Sequence, residues 1–232
     1  EVPPILEKVR TEIVPAMEAL ISGVKVDYGG QARESARAGQ ELALYFGGAF
    51  LVMFLLITLN FKSLYQALLV MLMVPVGWIG AILGHGIQGI PVSMLSALGM
   101  IALSGVIIND AVVFLDKYNR NLLNDMSVKE AAYDAGISRF RPILLTSLTT
   151  VLGLFPLLIE SSFQAQFLIP MAVSIAFGVL IGTFIILLFF PVLIVFFNDI
   201  RMTSKWIWTG KKPPRESVER VIIDKEKETL FA

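Results

Sequence analysis

The sequence predicts an all-α polytopic membrane protein, a bundle of five transmembrane helices preceded by a short α/β segment. Three observations lead to this prediction. The 232 residues are 56% hydrophobic and only 16% charged, whereas soluble domains are usually about a quarter charged. The apolar residues come in long runs that lack charges, as membrane-crossing helices require. Short polar or glycine-rich turns separate these runs.

Residues 1–40 are mixed in polarity and predict the end of a domain outside the membrane. Residues 6–20 have helical spacing, and residues 24–28 alternate like a strand that Gly29 and Gly30 end. The sequence shows neither an initiator Met nor the pattern of a signal peptide. We therefore expect a fragment of a longer protein.

Five apolar segments follow, and each is long enough to cross a bilayer at about 1.5 Å of rise per residue. Their predicted bounds are 42–61, 65–83, 92–115, 143–159 and 167–197. The last segment is too long for one straight crossing, so Pro170 and Pro191 are expected to mark its ends, unless the helix tilts. The domains are then residues 1–40, a transmembrane domain over 41–200 and a charged tail over 201–232.

Basic residues predict the orientation. The turns after the first and third segments carry Lys and Arg, and the tail adds eight more, whereas the turns after the second and fourth segments have none. The positive-inside rule places the tail and residues 116–142 in the cytoplasm and residues 1–40 outside. Within the cytoplasmic loop, the capping-box pattern of Ser127 and Glu130 predicts a short amphipathic helix that ends at Gly136.

Small residues recur at a spacing of four in two segments. Gly80 and Gly84 lie in the second segment, and Ser174, Gly178 and Gly182 lie in the fifth. Such stripes let transmembrane helices approach closely. We expect them to be packing positions, and a face that slides during transport is the functional alternative.

One carboxylate interrupts the third segment. Asp110 is the only Asp, Glu, Lys or Arg between Lys62 and Asp116. A charge near the middle of a membrane costs about 2.5–3.5 kcal/mol on insertion scales. We therefore predict that Asp110 takes up and releases protons, with Asn109 able to orient it by hydrogen bonds. Thr146 is close enough to the start of the fourth segment to face a polar interior. The structural alternative is that Asp110 reaches interfacial water.

Several other functions find no support in the sequence. The chain has no cysteine, which excludes disulfides and thiolate ligands within it. The lone histidine, His85, lies in a glycine-rich turn over residues 84–91 without ligand partners, so a surface or loop role is expected. The motifs of zinc proteases, P-loop nucleotidases and serine hydrolases are missing. A net charge of zero gives no indication of a nucleic-acid partner.

Two stretches resemble a known family. "GMIALSGVIINDAVVFLDKYNR" (Gly99 to Arg120) and "RFRPILLTSLTTVLGLFPLL" (Arg139 to Leu158) resemble the resistance-nodulation-division (RND) efflux transporters of the acriflavine-resistance type. The second stretch is the more specific and is similar to the start of the penultimate helix in such pumps. The resemblance covers nearly the whole chain. It implies helices eight to twelve of a twelve-helix protein, with residues 1–40 as the end of a periplasmic porter segment.

The resemblance also implies a function and partners. Such proteins are proton-driven exporters of drugs or other small molecules in the bacterial inner membrane. They work as homotrimers with a periplasmic adaptor and an outer-membrane channel. This chain would pair with the N-terminal half of the same transporter within the lipid bilayer, without a cofactor and without enzymatic activity.

The family's proton site maps onto this sequence with one departure. Such pumps use two Asp residues on helix four, a Lys on helix ten, and a Thr and an Arg on helix eleven. By motif position Asn109 takes the place of the Lys, Asp110 follows it, and Thr146 and Arg139 match the last two. Since the third segment has no Lys, the usual Lys–Asp pair cannot form. Either Asp110 serves a rearranged proton route, or this branch couples differently.

Three alternatives stay open. The Asn109–Asp110 pair also echoes the two Asp residues of helix four, which would make the chain a first half, although the Arg139 motif and the tail argue against it. A metal-ion exporter of the same superfamily would place Met or acidic residues along the metal path; Met94, Met100 and Met171 are better explained by packing. The third alternative is a non-transporting module, such as a sterol-sensing or protein-translocation helper.

Overall fold

The computed structural model describes residues 7–20, 31–210 and 213–231. In these ranges the chain forms seven α-helices: α1 Val14–Leu20, α2 Gln31–Phe61, α3 Leu64–Gln88, α4 Met94–Leu123, α5 Val128–Leu158, α6 Ile169–Thr209 and α7 Arg220–Phe231. A π-helical turn precedes α1, and short 3₁₀ turns lie before α6 and α7. The strand predicted at 24–28 lies outside the described residues.

Five of these helices, α2 to α6, are long and apolar enough to cross a membrane. This confirms the predicted class, an all-α polytopic membrane protein with five spans. The contacts divide the chain into two units, residues 1–45 and 46–232. In the first unit α2 already begins at Gln31, well before the predicted apolar segment, and Arg37 pairs with Glu41 one turn later at 3.0 Å.

Serine side chains begin three of the long helices. Ser63, Ser93 and Ser127 each accept a hydrogen bond from a backbone N–H of the following first turn, at the starts of α3, α4 and α5. At Ser127 the carboxylate of Glu130 accepts the return hydrogen bond, so the predicted capping box is confirmed. These caps satisfy donors that a helix start otherwise leaves without partners.

Two predicted helix ends are wrong. The helix that begins after Ser127 passes through Gly136 and continues to Leu158, so no separate amphipathic helix exists at 127–136. A side chain at Gly136 would not be obstructed, because a methyl group there would lie in ordinary contact, 3.8 Å from Pro191 and 3.9 Å from Phe114. Pro191 does not end the last span either. Helix α6 runs on to Thr209, where Gly210 takes the left-handed conformation with φ of 69°.

Helix α6 is the centre of the bundle and packs against α3, α4 and α5. Its inward face carries Ile186 and Phe190, which are almost completely buried. The ring of Phe190 meets the ring of Phe114 from α4 edge to face, with centroids 5.3 Å apart. Around these side chains one continuous apolar core joins α3, α4, α5 and α6.

The small-residue positions bring α3 and α6 into backbone contact. A methyl group added at Gly80 would lie 2.9 Å from Cβ of Ile181 and 3.2 Å from Cα of Gly178. Real Cβ atoms do not approach this closely, so only glycine fits at this crossing. One turn away, the side chain of Phe177 occupies the space in which a side chain at Gly84 would lie.

Helix α4 also packs against this crossing. A methyl group at Gly182 of α6 would lie 3.2 Å from Cδ1 of Ile107, and Gly178 faces Leu103 directly. Both aliphatic side chains are buried. Because these two glycines have no side chains, α6 has a groove at this point, and α4 packs into it.

Substituting Gly80 tests this packing against a control on the same helix. Gly80→Ala should destabilise the protein by about 1–3 kcal/mol, because its new methyl group overlaps Cβ of Ile181 and crowds the backbone of α6 at Gly178. Gly86→Ala places its methyl group in open space and should change stability by less than about 1 kcal/mol. Thermal unfolding of the full-length protein in detergent measures both. Equal melting temperatures for the two variants would contradict the close crossing.

Candidate functional site

Asp110 lies on the face of α4 that packs into the bundle. Asp110 is only 6% exposed. The turns on either side are apolar and buried: Ile107 before it, Ala111 beside it and Phe114 after it. Within the described residues, no hydrogen bond or ion pair reaches its carboxylate.

The depth of Asp110 follows from its neighbours on α4. Ile107 contacts the glycine crossing of α3 and α6 near Gly77 and Gly182, and Phe114 packs on Phe190. Asp110 lies between these two levels, about 4.5 Å along the axis from Ile107. A largely buried carboxylate among apolar side chains, without a counter-charge in the described residues, is costly when ionised. Its environment therefore favours either a neutral form or a partner from outside this chain.

Asn109 and Thr146 do not surround Asp110 in this chain. Asn109 is exposed on another face of α4. Thr146 is exposed on α5, and its hydroxyl donates to the carbonyls of Pro142 and Ile143 in its own helix, at 3.2 and 2.9 Å. These bonds are the usual way in which a threonine hydroxyl is satisfied in a transmembrane helix.

The hydroxyl that enters the bundle is the next one along α5. Ser147 is buried, and its Oγ lies 2.5 Å from Oγ1 of Thr183 on α6. Sequence reasoning singled out Thr146 from its motif position and missed Ser147. A helical rotation of about 100° separates the two neighbours, so only the apolar pattern around them could have indicated which one faces α6.

Arg139 is partly buried on α5, and its Nε is enclosed without a hydrogen-bond partner. No ion pair joins it to Asp110 or to another acid among the described residues. The structure thus contains a carboxylate and a guanidinium that both lack a charged partner in this part of the chain. An enclosed donor of this kind usually has a partner in a protein interior.

His85 is a second residue that the sequence misplaced. Helix α3 continues to Gln88, so the expected loop begins later, and His85 is 2% exposed inside the bundle. Its Nε2 lies 3.0 Å from the hydroxyl of Ser174 on α6, and its Nδ1 lies 3.1 Å from the carbonyl of Ile90. The histidine joins two helices and the following turn. In the described residues no group of three His, Cys, Asp or Glu side chains could hold a metal ion.

A helical bundle of five apolar spans with an isolated buried carboxylate is the arrangement found in membrane transport proteins, where intramembrane acids line substrate or proton pathways. The comparisons agree with that class. The chain matches the model of the AcrB/AcrD/AcrF family over residues 5–198. It belongs to this family, and the predicted likeness to RND efflux transporters is confirmed.

The proteins to which the chain is similar are named for different functions. The chain is 32% identical over 188 residues to the cobalt-zinc-cadmium resistance protein CzcA of Cupriavidus metallidurans, covering 78% of this chain and 18% of that protein. It is 27% identical over 170 residues to the swarming motility protein SwrC of Bacillus subtilis, covering 73% and 16%. The multidrug resistance protein MdtC of Erwinia amylovora is 24% identical over 186 residues, covering 80% and 18%.

A solved structure supports the same fold. The crystal structure of a heavy metal efflux pump superimposes with a TM-score of 0.72 at 26% identity, over 83% of this chain and 19% of that one. The chain therefore spans less than a fifth of the length of these relatives. It is similar to one part of their membrane region.

The two hydroxyls of α5 give a direct test of the site geometry. Ser147→Ala should cost about 0.5–1.5 kcal/mol of stability, because Thr183 loses its partner inside the bundle. Thr146→Ala removes only bonds within one helix turn and should be nearly neutral. The melting temperatures of the two full-length variants, each compared with the wild type, measure these stability changes. A larger loss for Thr146→Ala would mean that α5 is rotated relative to this structure.

Proposed function

We propose that this chain is the C-terminal membrane half of a proton-driven exporter, with α2 to α6 as helices eight to twelve of twelve. The cargo would be a drug, a xenobiotic or another small molecule. The family match supports an efflux transporter and favours it over the alternative of a non-transporting helper. The observation that carries the proton-coupling part is the isolated, buried carboxylate of Asp110.

In this proposal Asp110 gains and loses a proton inside the bundle. The neutral and the ionised side chain interact differently with their surroundings, so each protonation state stabilises a different packing of the helices. Ile107 and Phe114 lie one turn away on either side and pack on α6. A change of charge at Asp110 would therefore act directly on the contact between α4 and α6.

The remaining predicted site residues would meet the other half of the transporter. Asn109 and Thr146 are exposed, and Arg139 has an enclosed Nε without a partner. In the most apolar stretch of α2 only 6% of the residues are buried, and 11% in α5, against 56% in α3. Helices so exposed contact lipid or further helices. We propose that the N-terminal half packs there.

The proposed assembly follows the family. It is a homotrimer in the bacterial inner membrane, joined to a periplasmic adaptor and an outer-membrane channel. The tail and residues 116–142 would be cytoplasmic, because they carry most of the basic residues that follow the first span. Residues 1–40 would then belong to the periplasmic porter segment.

Metal-ion export is the second candidate. It is favoured by the likeness to CzcA, which is named for cobalt, zinc and cadmium resistance, and to the heavy metal efflux pump. Among the described residues no metal-ligand cluster is present, and Met94 is exposed on the first turn of α4.

Replacing Asp110 in the full-length transporter tests the proton-coupling role. Asp110→Asn keeps the size of the side chain and removes the titratable group, so proton-coupled export should fall by at least about tenfold. Asp116→Asn is the matched control, since Asp116 lies on the same helix in a partly exposed pair with Arg120. Export of dyes and of cobalt, zinc and cadmium is measured in an efflux-deficient host, with protein level and trimer assembly checked in parallel.

Unchanged export by Asp110→Asn would rule out this carboxylate as part of the proton route. The choice of cargo is decided separately by the wild-type protein. Resistance to the three metals without resistance to dyes would favour the metal exporter, and the reverse result would favour the drug exporter.

A further inference from the structure

The C-terminal tail returns to the end of the bundle at which α3 begins. Lys225 on α7 donates to the carbonyl of Leu123 at 2.9 Å and pairs with Asp125 at 2.7 Å. Just before α7, the carboxylate of Glu216 accepts a hydrogen bond from the backbone N–H of Val128 at 3.4 Å. The tail is therefore attached to the turn between α4 and α5.

A single acidic side chain of the tail enters the bundle. Glu219 has no exposed surface. One carboxylate oxygen accepts a hydrogen bond from Nδ2 of Asn198 at 2.5 Å, and the other lies 3.6 Å from a guanidinium nitrogen of Arg201. Asn198 also donates to the carbonyl of Arg215 at 3.1 Å, which fixes the chain just before the 3₁₀ turn. Glu219 is thus the deepest attachment of the tail.

Three helices present titratable or charged groups to Glu219. Helix α3 contributes Tyr65, helix α4 contributes Tyr118, and helix α6 contributes Arg201. Arg201 also lies over the ring of Tyr65, 4.4 Å from its centroid, and donates to the carbonyl of Val218. Its single positive charge is therefore shared among several groups.

The neutral groups around Glu219 are only partly available. On α3, Gln66 lies beside the carboxylate, but its amide is already engaged with Asn119 of α4 through hydrogen bonds of 2.8 and 3.0 Å. The hydroxyl of Tyr118 and the second oxygen of Glu219 are both enclosed without a hydrogen-bond partner among the described residues. An ionised carboxylate in this position is incompletely solvated by the protein.

We propose that the tail is a proton-linked latch: a proton on Glu219 favours the docked tail, and its loss favours release of the tail from the bundle. In the docked tail the carboxyl group keeps its hydrogen bond to Asn198, and a proton removes the cost of burying a full charge. In the released tail the group would be in water, where the ionised form is well solvated. The latch does not depend on the cargo or direction of transport.

The direction of the pH dependence follows from the burial of this group. Desolvation raises the pKa of Glu219 in the docked tail, against the opposing effects of the hydrogen bond from Asn198, the charge of Arg201 and the polar side chains of Tyr118 and Gln66. The released group would have an ordinary pKa of about 4.3. Because the docked pKa is the higher one, the proton's contribution to docking is present at low pH and is lost as pH rises through the docked pKa.

Spin labels can measure the docked fraction of the tail. Lys129 at the start of α5 and Glu228 on α7 are both exposed, and this sequence contains no cysteine. The full-length protein carries Lys129→Cys and Glu228→Cys, with cysteines elsewhere replaced, and is reconstituted in lipid nanodiscs. Distances between the labels are recorded by pulsed electron paramagnetic resonance from about pH 5 to about pH 8.5.

In the wild-type background, the fraction of molecules with the short, narrowly distributed label distance of the docked tail should decline as pH rises. Glu219→Gln resembles the neutral acid and should stay docked at every pH. Glu219→Ala should reduce the ratio of docked to released tail by about tenfold at low pH, because the hydrogen bond to Asn198 is lost. Glu226→Gln, an exposed position on the same helix, should keep the wild-type response.

Two results would overturn the latch. A docked fraction that does not change with pH in the wild-type background would mean that Glu219 does not link docking to a proton. The same pH response in Glu219→Gln as in the wild type would assign the effect to another group. Both results leave the role of Asp110 untouched, since the distance readout requires no transport.

Discussion

The close crossing of α3 and α6 at Gly80 and Gly178 is the constraint on which the rest of the bundle depends. Without a hydrophobic driving force between helices in lipid, contact depends on how closely two backbones can approach. Here no side chain separates the two helices. Glycine positions at this crossing leave a groove that receives Ile107 and Leu103. The α3–α6 pair therefore determines the position of α4.

This dependence explains why Asp110 is buried. Once Ile107 is seated against Gly182 and Phe114 against Phe190, the helical periodicity of α4 directs the position between them into the bundle as well. Asp110 therefore occupies a core position by geometry, although its chemistry is unsuited to an apolar core. A hydrophobic residue at position 110 would be the simpler solution for packing. The presence of a carboxylate there is what supports a functional role.

The sequence predicted the parts of the fold that depend on local pattern. Five apolar runs became five spans, and the pair of Ser127 and Glu130 became a capping box. The failures involve contacts between distant segments. Gly136 resembles a helix stop, but α5 continues through it and packs against α4 and α6. His85 resembles a loop residue, but its partner is Ser174, far along the chain.

The candidate site was only partly predictable for the same reason. Asp110 was found because a charge in an apolar run is visible in the sequence itself. Whether Thr146 or Ser147 faces α6 depends on the rotation of α5, which is set by packing with other helices. The burial of Glu219 was missed entirely, because it requires the charged tail to return to the bundle and the amide of Asn198 to be present on α6.

Asp110 and Glu219 show that burial alone does not define the role of an acid. Glu219 has an amide donor at 2.5 Å and a guanidinium at 3.6 Å, both from α6, so its partners are present in this chain. Asp110 is nearly as buried and has none among the described residues. A protein interior rarely leaves such a group without compensation. Under the proposed function, the compensation for Asp110 is a proton or a partner from the other half of the transporter. Both possibilities connect the acid to a change of state rather than to the static stability of the bundle.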